Sequence, residues 1–272
     1  HEHKRGVRAG YAKFETFPIW NIPLKHPVNI AYEAATADLN DVNMIDPFHL
    51  EEYGKTAVNY NRDVEIFPVL SAMFERILGY SPYKSPTDMG VNMAGFCITD
   101  DETVKAAARQ EIIRRYYAAL CDRRKGIVEE DLGDKIALLM EQAGTNAAER
   151  KVVAAALKKD ELTQGPAAAI ALGDGRIITG KTSALLGASS TLLLNALKAL
   201  CGLPDELLLI SPEVIEPIQR LKTKCLGNRN PRLHMDETLI ALSICAATDP
   251  NAELALQQIS RLKGLEAHST VL

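Results

Sequence analysis

Two short polar segments carry side chains whose types and spacing could do chemistry. NYNRDVE spans residues 59–65 and YKSPTDMGVN spans residues 83–92. Their cations suit phosphate or carboxylate, their carboxylates suit acid–base work, and their amides can orient a ligand. Asp63 and Asp88 are the candidate catalytic carboxylates. The candidate ligand-binding residues of the two segments are Asn59, Asn61, Arg62, Glu65, Lys84, Ser85, Thr87 and Asn92.

A structural alternative accounts for the same two segments. Asn61 and Asp63 are residues that cap helices, and Ser85-Pro86 is a type I turn signal. The functional interpretation predicts instead that both segments meet in one concave pocket, where Arg62 and Lys84 face an anionic ligand. The sequence leaves both interpretations open.

The elements that must position these segments are mainly helical. The apolar spacing predicts a helix over Ile66–Leu78, with Pro68 placed in its first turn. Three more predicted helices follow, in DETVKAAARQEIIRRYYAALCDRRKG, EEDLGDKIALLMEQAG and NAAERKVVAAALKKDEL. We therefore predict a mainly helical domain over 59–162, preceded by a first segment over 1–58. In that first segment, VNIAYEAATADL predicts a short helix, and a short strand ends at Asp46.

The last segment, 163–272, predicts a sheet covered by helices. AAAIAL and RIITGK flank Gly173-Asp174-Gly175, a strong hairpin signal, because Asp-Gly supplies the positive φ angles of a tight turn. A helix follows, then a strand at ELLLIS, three helices and a strand at LEAHSTVL. This order indicates an α/β fold that ends in an αβα sandwich.

Composition excludes several classes of protein. The formal net charge is −4 and the pI is about 5.9, which gives no electrostatic footprint for nucleic acid or an anionic membrane. Hydrophobic residues make up 47 %, but no apolar run reaches the ~18 residues of a membrane span. The five cysteines form no CxxC pair and are predicted to be free thiols of a cytoplasmic protein.

Several long runs resemble one bacterial family of unknown function, DUF1846. They include HKRGVRAGYAKFETFPIWNIPLKHPVN and SPYKSPTDMGVNMAG, and the resemblance covers the whole chain. It implies that this chain is the C-terminal half of a longer protein. It further implies that the upstream N-terminal half is a partner, and that this half carries a glycine-rich phosphate-binding loop. ATP and magnesium would then be bound mainly by that upstream half.

This resemblance gives roles to three residues outside the polar segments. It implies part of a P-loop-type domain over 1–58, with a strand at Val7–Phe14 and Glu15 facing the ligand at the end of that strand. Asp46 would hold a phosphate-bound magnesium ion, unless it only caps a turn before Pro47. His49 would act as a catalytic group beside Asp46, unless it is a hydrogen-bonded structural residue.

The last segment also has the outline of a cytidine-deaminase-like fold. Zinc deaminases carry His-x-Glu and Pro-Cys-x-x-Cys where this chain reads ASSTLLL and SPEVIEP. We therefore predict no zinc there. Taken with the polar segments, the DUF1846 resemblance implies a cytoplasmic, nucleotide-dependent enzyme that acts on a small molecule. The alternative is a nucleotide-sensing or assembly protein without turnover, and the sequence leaves self-association into a homo-oligomer open.

Overall fold

The computed structural model describes residues 3–7 and 18–270 and divides the chain into two compact units. Unit 1 is His1–Ala147 and unit 2 is Ala148–Leu272. Beyond Val7, the predicted strand at Val7–Phe14 lies outside the described residues, and so does Glu15. Among the described helices, none combines the length and hydropathy needed to cross a membrane. All five cysteines are free thiols, and Cys245 is buried.

Unit 1 is built mainly of helices with one small sheet. Its elements are α1 (Pro27–Ala35), β1 (Asn43–Ile45), α2 (Pro47–Tyr53), β2 (Val58–Tyr60), α3 (Asn61–Leu78), α4 (Pro86–Met89), α5 (Asp101–Arg124) and α6 (Leu132–Gln142). The helices predicted at α1, α5 and α6 are confirmed. Asp100 begins α5, because its carboxylate accepts a hydrogen bond from the backbone of Thr103 at 3.1 Å.

The core of unit 1 joins segments that the sequence assigned to different domains. Ile30 of α1 packs with Ile112 and Ile113 of α5 and with Ile136 of α6, and all four are buried. Because α1 and α5 share one core, residues on both sides of position 58 belong to the same unit. The compact units therefore divide the chain at 147/148, a different place from the predicted boundaries at 58 and 162.

The sheet of unit 1 is an antiparallel pair. Asn43 lies opposite Tyr60 and Ile45 lies opposite Val58. The short strand predicted to end at Asp46 is confirmed as β1, which ends one residue earlier, at Ile45. In the described residues of unit 1 no larger sheet accompanies this pair, so the P-loop-type domain stays a prediction.

Helix α3 begins five residues earlier than predicted. Asn61 follows β2 directly and exchanges hydrogen bonds with Val42, so the chain turns from strand into helix without a loop. Tyr60 is the extended residue before the helix. The prediction that Pro68 lies in the first turn is wrong, since it is the eighth residue of α3. A proline at that depth removes one backbone hydrogen bond of the helix.

Unit 2 combines a three-stranded antiparallel sheet with five helices. Its elements are α7 (Lys151–Thr163), β3 (Ala167–Ala171), β4 (Ile177–Lys181), α8 (Ala188–Cys201), α9 (Pro212–Arg220), α10 (Met235–Ala246), α11 (Pro250–Gln257) and β5 (Ala267–Ser269). The strand order is β4-β3-β5. The predicted hairpin and terminal strand are confirmed, and Gly175 adopts a φ of +85° in the hairpin turn.

Helices cover the central strand of this sheet. Ala168 and Ile170 pack against Leu192 and Ala196 of α8. Ala167, which points to the other face, is fully buried, and α7 also packs on β3. The mixed α/β class is therefore confirmed, with a sheet smaller than the predicted sandwich would have.

The predicted strand at ELLLIS is wrong. Residues 205–211 form a turn, a bend and irregular backbone. Leu209 and Ile210 are buried in a helical core with Ile215 of α9, and the side chain of Lys198 donates a hydrogen bond to the backbone carbonyl of Asp205. The apolar run reflects burial between helices, which periodicity alone does not separate from a buried strand.

Candidate functional site

An open cavity of about 310 Å³ lies beside α2 and α4 in unit 1. Helix α2 contributes two aromatic rings to its wall, and α4 contributes a hydroxyl and a carboxylate. The residues that line it are Trp20, His49, Tyr53, Lys55, Thr87, Asp88 and Val91. Three of these, His49, Thr87 and Asp88, are candidates from the sequence.

Asp46 is the structural link between the two helices that build the cavity. One carboxylate oxygen accepts hydrogen bonds from the backbone of Phe48 at 3.0 Å and of His49 at 3.1 Å. The other accepts from the backbone of Thr87 at 3.2 Å and from its hydroxyl at 2.5 Å. Asp46 is fully buried.

This arrangement does not suit the predicted magnesium role of Asp46. A carboxylate has about four lone-pair sites, and four protein donors already occupy those of Asp46. The capping alternative for Asp46 is the one that its contacts support. Within the described ranges, no group of three or more His, Cys, Asp or Glu side chains is arranged to hold a metal ion.

Helix α4 begins with a capping box. The Ser85 hydroxyl accepts a hydrogen bond from the Asp88 backbone at 3.2 Å, and the Asp88 carboxylate accepts from the Ser85 backbone at 3.1 Å. The same carboxylate oxygen of Asp88 accepts from the backbone of Lys84 at 2.9 Å. The turn at Ser85-Pro86 that the structural alternative predicted is therefore present. The Asp88 side chain remains partly exposed and lines the cavity.

His49 is held at one ring nitrogen and unbonded at the other. Its Nδ1 lies 3.1 Å from the Ser85 hydroxyl and 3.8 Å from a carboxylate oxygen of Asp88. Its Nε2 makes no hydrogen bond within the part of the chain that the structure describes. In the Nδ1–H tautomer, the neutral ring donates to the Ser85 hydroxyl on the side that faces the charge of Asp88, and Nε2 is left as an acceptor.

Aromatic and cationic groups complete the wall. The Tyr53 hydroxyl donates to Asp88 at 3.0 Å, and this hydrogen bond raises the pKa of the Tyr53 phenol above its ordinary value. The Tyr53 ring lies 4.7 Å from the His49 ring, and the Trp20 ring meets His49 edge-on at 6.4 Å. The Trp20 indole N–H has no acceptor among the described residues. Lys55 adds an exposed ammonium group.

Segment 59–65 does not contribute to this cavity. Arg62 forms an ion pair with the buried carboxylate of Asp41 at 3.0 Å. The Asn61 carboxamide oxygen accepts a hydrogen bond from the Val42 backbone at 2.9 Å. The Asn59 side-chain oxygen accepts a hydrogen bond from the Tyr60 backbone at 2.9 Å. None of the side chains of residues 59–65 is among those that line the cavity.

The remaining candidates of the two polar segments have separate places. Asp63 is buried in the first turn of α3, and Glu65 is exposed on the same helix. Asn92 donates from its carboxamide to the Tyr32 hydroxyl at 3.1 Å. The structure thus brings together His49, Ser85, Thr87 and Asp88, and it does not place the two polar segments around one pocket.

Trp20, Tyr53 and Lys55 were not among the sequence candidates. His49 and Tyr53 are four residues apart, so they lie on one face of α2. Gly54 ends α2 with a φ of +64°, and Lys55 follows it. The run HLEEYGK therefore carried a readable signal for Tyr53 and Lys55. Trp20 comes to the site from a loop, and no spacing rule predicts that.

Comparison with known proteins covers the whole chain. Residues 1–144 match the family described as domain of unknown function DUF1846, N-terminal, and residues 148–272 match domain of unknown function DUF1846, C-terminal. A UPF0371 protein of Corynebacterium urealyticum is 58 % identical over 272 residues, and a UPF0371 protein of Streptococcus thermophilus is 59 % identical over 272 residues. Each match includes 100 % of this chain and 55 % of the relative. The chain thus spans about half the length of the curated relatives it matches.

Proposed function

The chain belongs to the DUF1846 family, and on that premise we propose that unit 1 carries the acid–base site of an enzyme that acts on a small anionic molecule. The observation that supports this best is the environment of His49. Its Nδ1 is held by Ser85 and lies near Asp88, while its Nε2 makes no hydrogen bond within the described residues. A histidine fixed in this way and placed at a cavity is suited to move a proton.

His49 would act as the general base. A proton from a substrate O–H or N–H group moves to Nε2, and the ring becomes a cation. The carboxylate of Asp88, 3.8 Å from Nδ1, stabilises that cation, while Ser85 fixes the plane of the ring. The same proton can return from Nε2 to a leaving group, so one residue serves both steps.

Lys55 and Tyr53 would bind and orient the substrate. The ammonium of Lys55 is the cation at the cavity wall and attracts a phosphate or carboxylate group. Tyr53 donates its O–H to Asp88, and this hydrogen bond raises the pKa of the phenol, so Tyr53 stays neutral at physiological pH. Its phenol oxygen can then accept a hydrogen bond from the substrate. Trp20 supplies a flat apolar wall beside His49.

Nucleotide dependence is the second part of the proposal, and its support is the family resemblance alone. ATP and magnesium would be bound mainly by the upstream half of the longer family proteins, with this cytoplasmic chain acting on the small-molecule acceptor. The carboxylate of Asp46 has its four lone-pair sites occupied by protein donors, so it is not assigned to magnesium. The proton transfers assigned to His49 use only residues of this chain.

A thermal-shift screen tests the binding role of Lys55. The probes are inorganic phosphate, sugar phosphates, nucleoside phosphates, and di- and tricarboxylates, applied to the 272-residue chain. We expect at least one probe class to raise the Tm of the wild type. The shift should be lost in Lys55→Gln and retained in Lys158→Gln, which changes an exposed lysine of unit 2. Equal shifts in both variants, or no shift with any probe in the wild type, would contradict the proposal.

Nitrogen-detected NMR of the histidine rings tests the role of His49. We expect its neutral form to carry the proton on Nδ1, with Nε2 unprotonated, and to lose that preference in Asp88→Asn. A neutral ring with the proton on Nε2 would contradict the proposal, because Nε2 could not then accept a proton from the substrate. With a substrate found by the thermal-shift screen, His49→Gln should lower kcat by roughly 10²–10⁴-fold and leave KM nearly unchanged.

A further inference from the structure

A stripe of exposed apolar side chains runs along α3. Ile66, Val69, Met73 and Ile77 are each about half exposed, at 45 %, 54 %, 53 % and 56 %. Their spacing of three, four and four residues places them on one face of the helix. We call these four side chains the α3 stripe.

Only the first half of α3 carries side chains that are buried in unit 1. It has 18 residues, and its buried side chains, Asp63, Val64 and Phe67, all lie in its first half. The second half follows Pro68, which removes a backbone hydrogen bond. Helices of this length in water depend on packing of an apolar face for most of their stability. We therefore infer that another surface packs on the second half of α3.

The charges beside the α3 stripe are complementary between two antiparallel copies of the helix. Glu65 and Arg76 are exposed, and neither forms an ion pair within the part of the chain that the structure describes. They are eleven residues apart, about three helical turns, so both lie on the same side of the stripe. One end of this flank is negative and the other end is positive.

We propose that the α3 stripe binds the α3 stripe of a second copy of this chain, with the two helices antiparallel about a two-fold axis. In one register centred near residue 71, Ile66 lies opposite the partner's Ile77 and Val69 lies opposite the partner's Met73. Within one residue, the same register sets Glu65 opposite the partner's Arg76. Self-complementarity of this kind is the mark of a two-fold interface.

The α3 stripe shares no residue with the cavity of His49, so dimerisation through the stripe does not depend on the proposed function. Sedimentation velocity of the 272-residue chain, from micromolar to near-millimolar concentration, tests it. We expect a monomer–dimer equilibrium that stops at the dimer. Met73→Glu should leave only monomer. Ile240→Glu, at a 60 % exposed position of α10, is the matched control and should dimerise like the wild type.

A charge swap tests the register. Glu65→Arg alone and Arg76→Glu alone place like charges at both symmetric positions, so each should weaken dimerisation about tenfold. The double variant should restore it to within about threefold of the wild type. Circular dichroism shows whether each variant remains folded. A wild type that stays monomeric, one that grows beyond the dimer, or a double variant as weak as the singles would overturn the proposal.

Discussion

Asp46 and Asp88 show how burial decides between two roles that the sequence could not separate. Each lies at the start of a short helix that begins with proline: Asp46 is the N-cap of α2, and Asp88 is the third residue of α4. Asp46 is fully enclosed and bonded to four donors, whereas Asp88 keeps one edge toward the cavity. The residue types alone predicted a metal ligand at one and a catalytic group at the other. The three donors to Asp88 all reach one carboxylate oxygen and leave the other available, whereas both oxygens of the buried Asp46 are occupied.

Replacement of Asp46 tests its structural role. Asp46→Ala leaves the buried Thr87 hydroxyl and three backbone N–H groups without their acceptor. We expect a loss of about 2–5 kcal/mol in the free energy of unfolding of unit 1. Urea unfolding followed by fluorescence of Trp20, the one tryptophan of the chain, measures it.

The matched control for this change is Asp134→Ala, at an exposed carboxylate in the first turn of α6. It should cost less than about 1 kcal/mol. If both variants unfold at the same urea concentration as the wild type, the link between α2 and α4 through Asp46 does not stabilise the unit.

Secondary-structure elements were predicted correctly where a single segment of the sequence carries the whole signal. The Gly173-Asp174-Gly175 turn fixed the hairpin, and Asp100 fixed the start of α5. Local signals failed where distant contacts decide. The start of α3 depends on Val42, nineteen residues earlier, and the burial of Leu209 depends on helices elsewhere in unit 2. The cavity likewise combines α2, α4 and a loop, which no single pattern contains.

Tyr60 links β2 to α1 and makes this part of unit 1 sensitive to alkaline pH. Its ring is buried, and its hydroxyl donates to the Tyr32 carbonyl at 3.2 Å. Burial raises the pKa of Tyr60 to about 12. The neutral phenol therefore stabilises the folded state below about pH 10, and that stability is lost as the pH rises toward 12.

Tyr60→Phe removes this titration. Between about pH 8 and about pH 11, we expect the wild type to lose about 1 kcal/mol more unfolding free energy than the variant. Urea unfolding monitored by Trp20 fluorescence at both pH values gives the difference. An identical alkaline loss in the two proteins would show that Tyr60 ionises as freely in the folded state as in the unfolded one.

Gly180 sets the distance between β4 and α8. A Cβ atom at this position would lie 2.6 Å from the Leu192 Cα and 2.8 Å from the Ala188 carbonyl oxygen. These are backbone atoms, so the helix itself would have to move. Gly180→Ala should therefore lower the stability of unit 2 by about 2 kcal/mol or more. Thermal unfolding by circular dichroism measures this loss, and hydrogen exchange should locate it in β4 and α8.

Gly173→Ala is the matched control in the same hairpin, since a Cβ there has no neighbour within 4 Å. It should leave the Tm within a few degrees of the wild type. A Gly180→Ala protein as stable as this control would mean that α8 can shift without cost.

At the scale of the whole molecule, each unit has a hydrophobic core of its own. Unit 1 centres on α1, α5 and α6, and unit 2 has cores around α8 and its neighbours. Helix α7 belongs to unit 2, where Val152, Val153 and Ala156 are buried. The two family matches change at the same place in the chain. The sequence predicted α7 itself but assigned it to the preceding domain, because helical periodicity does not show what the helix packs against.

Two fragments test where unit 2 begins. We expect residues 148–272 to unfold cooperatively on their own, because the fragment retains α7. Residues 163–272, which start at the boundary predicted from the sequence, should fail to fold, because β3 loses the helix that packs on it. Thermal unfolding and NMR dispersion distinguish the two. If both fragments fold equally well, α7 is not part of the core of unit 2.

The place of β5 has a consequence for the order of events during folding. Thr270, the residue after β5, donates its backbone N–H to the Ala167 carbonyl, and the Ala167 N–H donates to the Thr270 hydroxyl, across 103 positions of sequence. In contrast, β3 and β4 are joined by one tight turn. The hairpin can therefore form within microseconds, while β5 must wait for the chain between them to collapse. During that interval β3 has an unpaired edge, and a β5 strand from another molecule fits it as well as its own does. Strand exchange between copies is the misfolding route that this topology favours at high concentration.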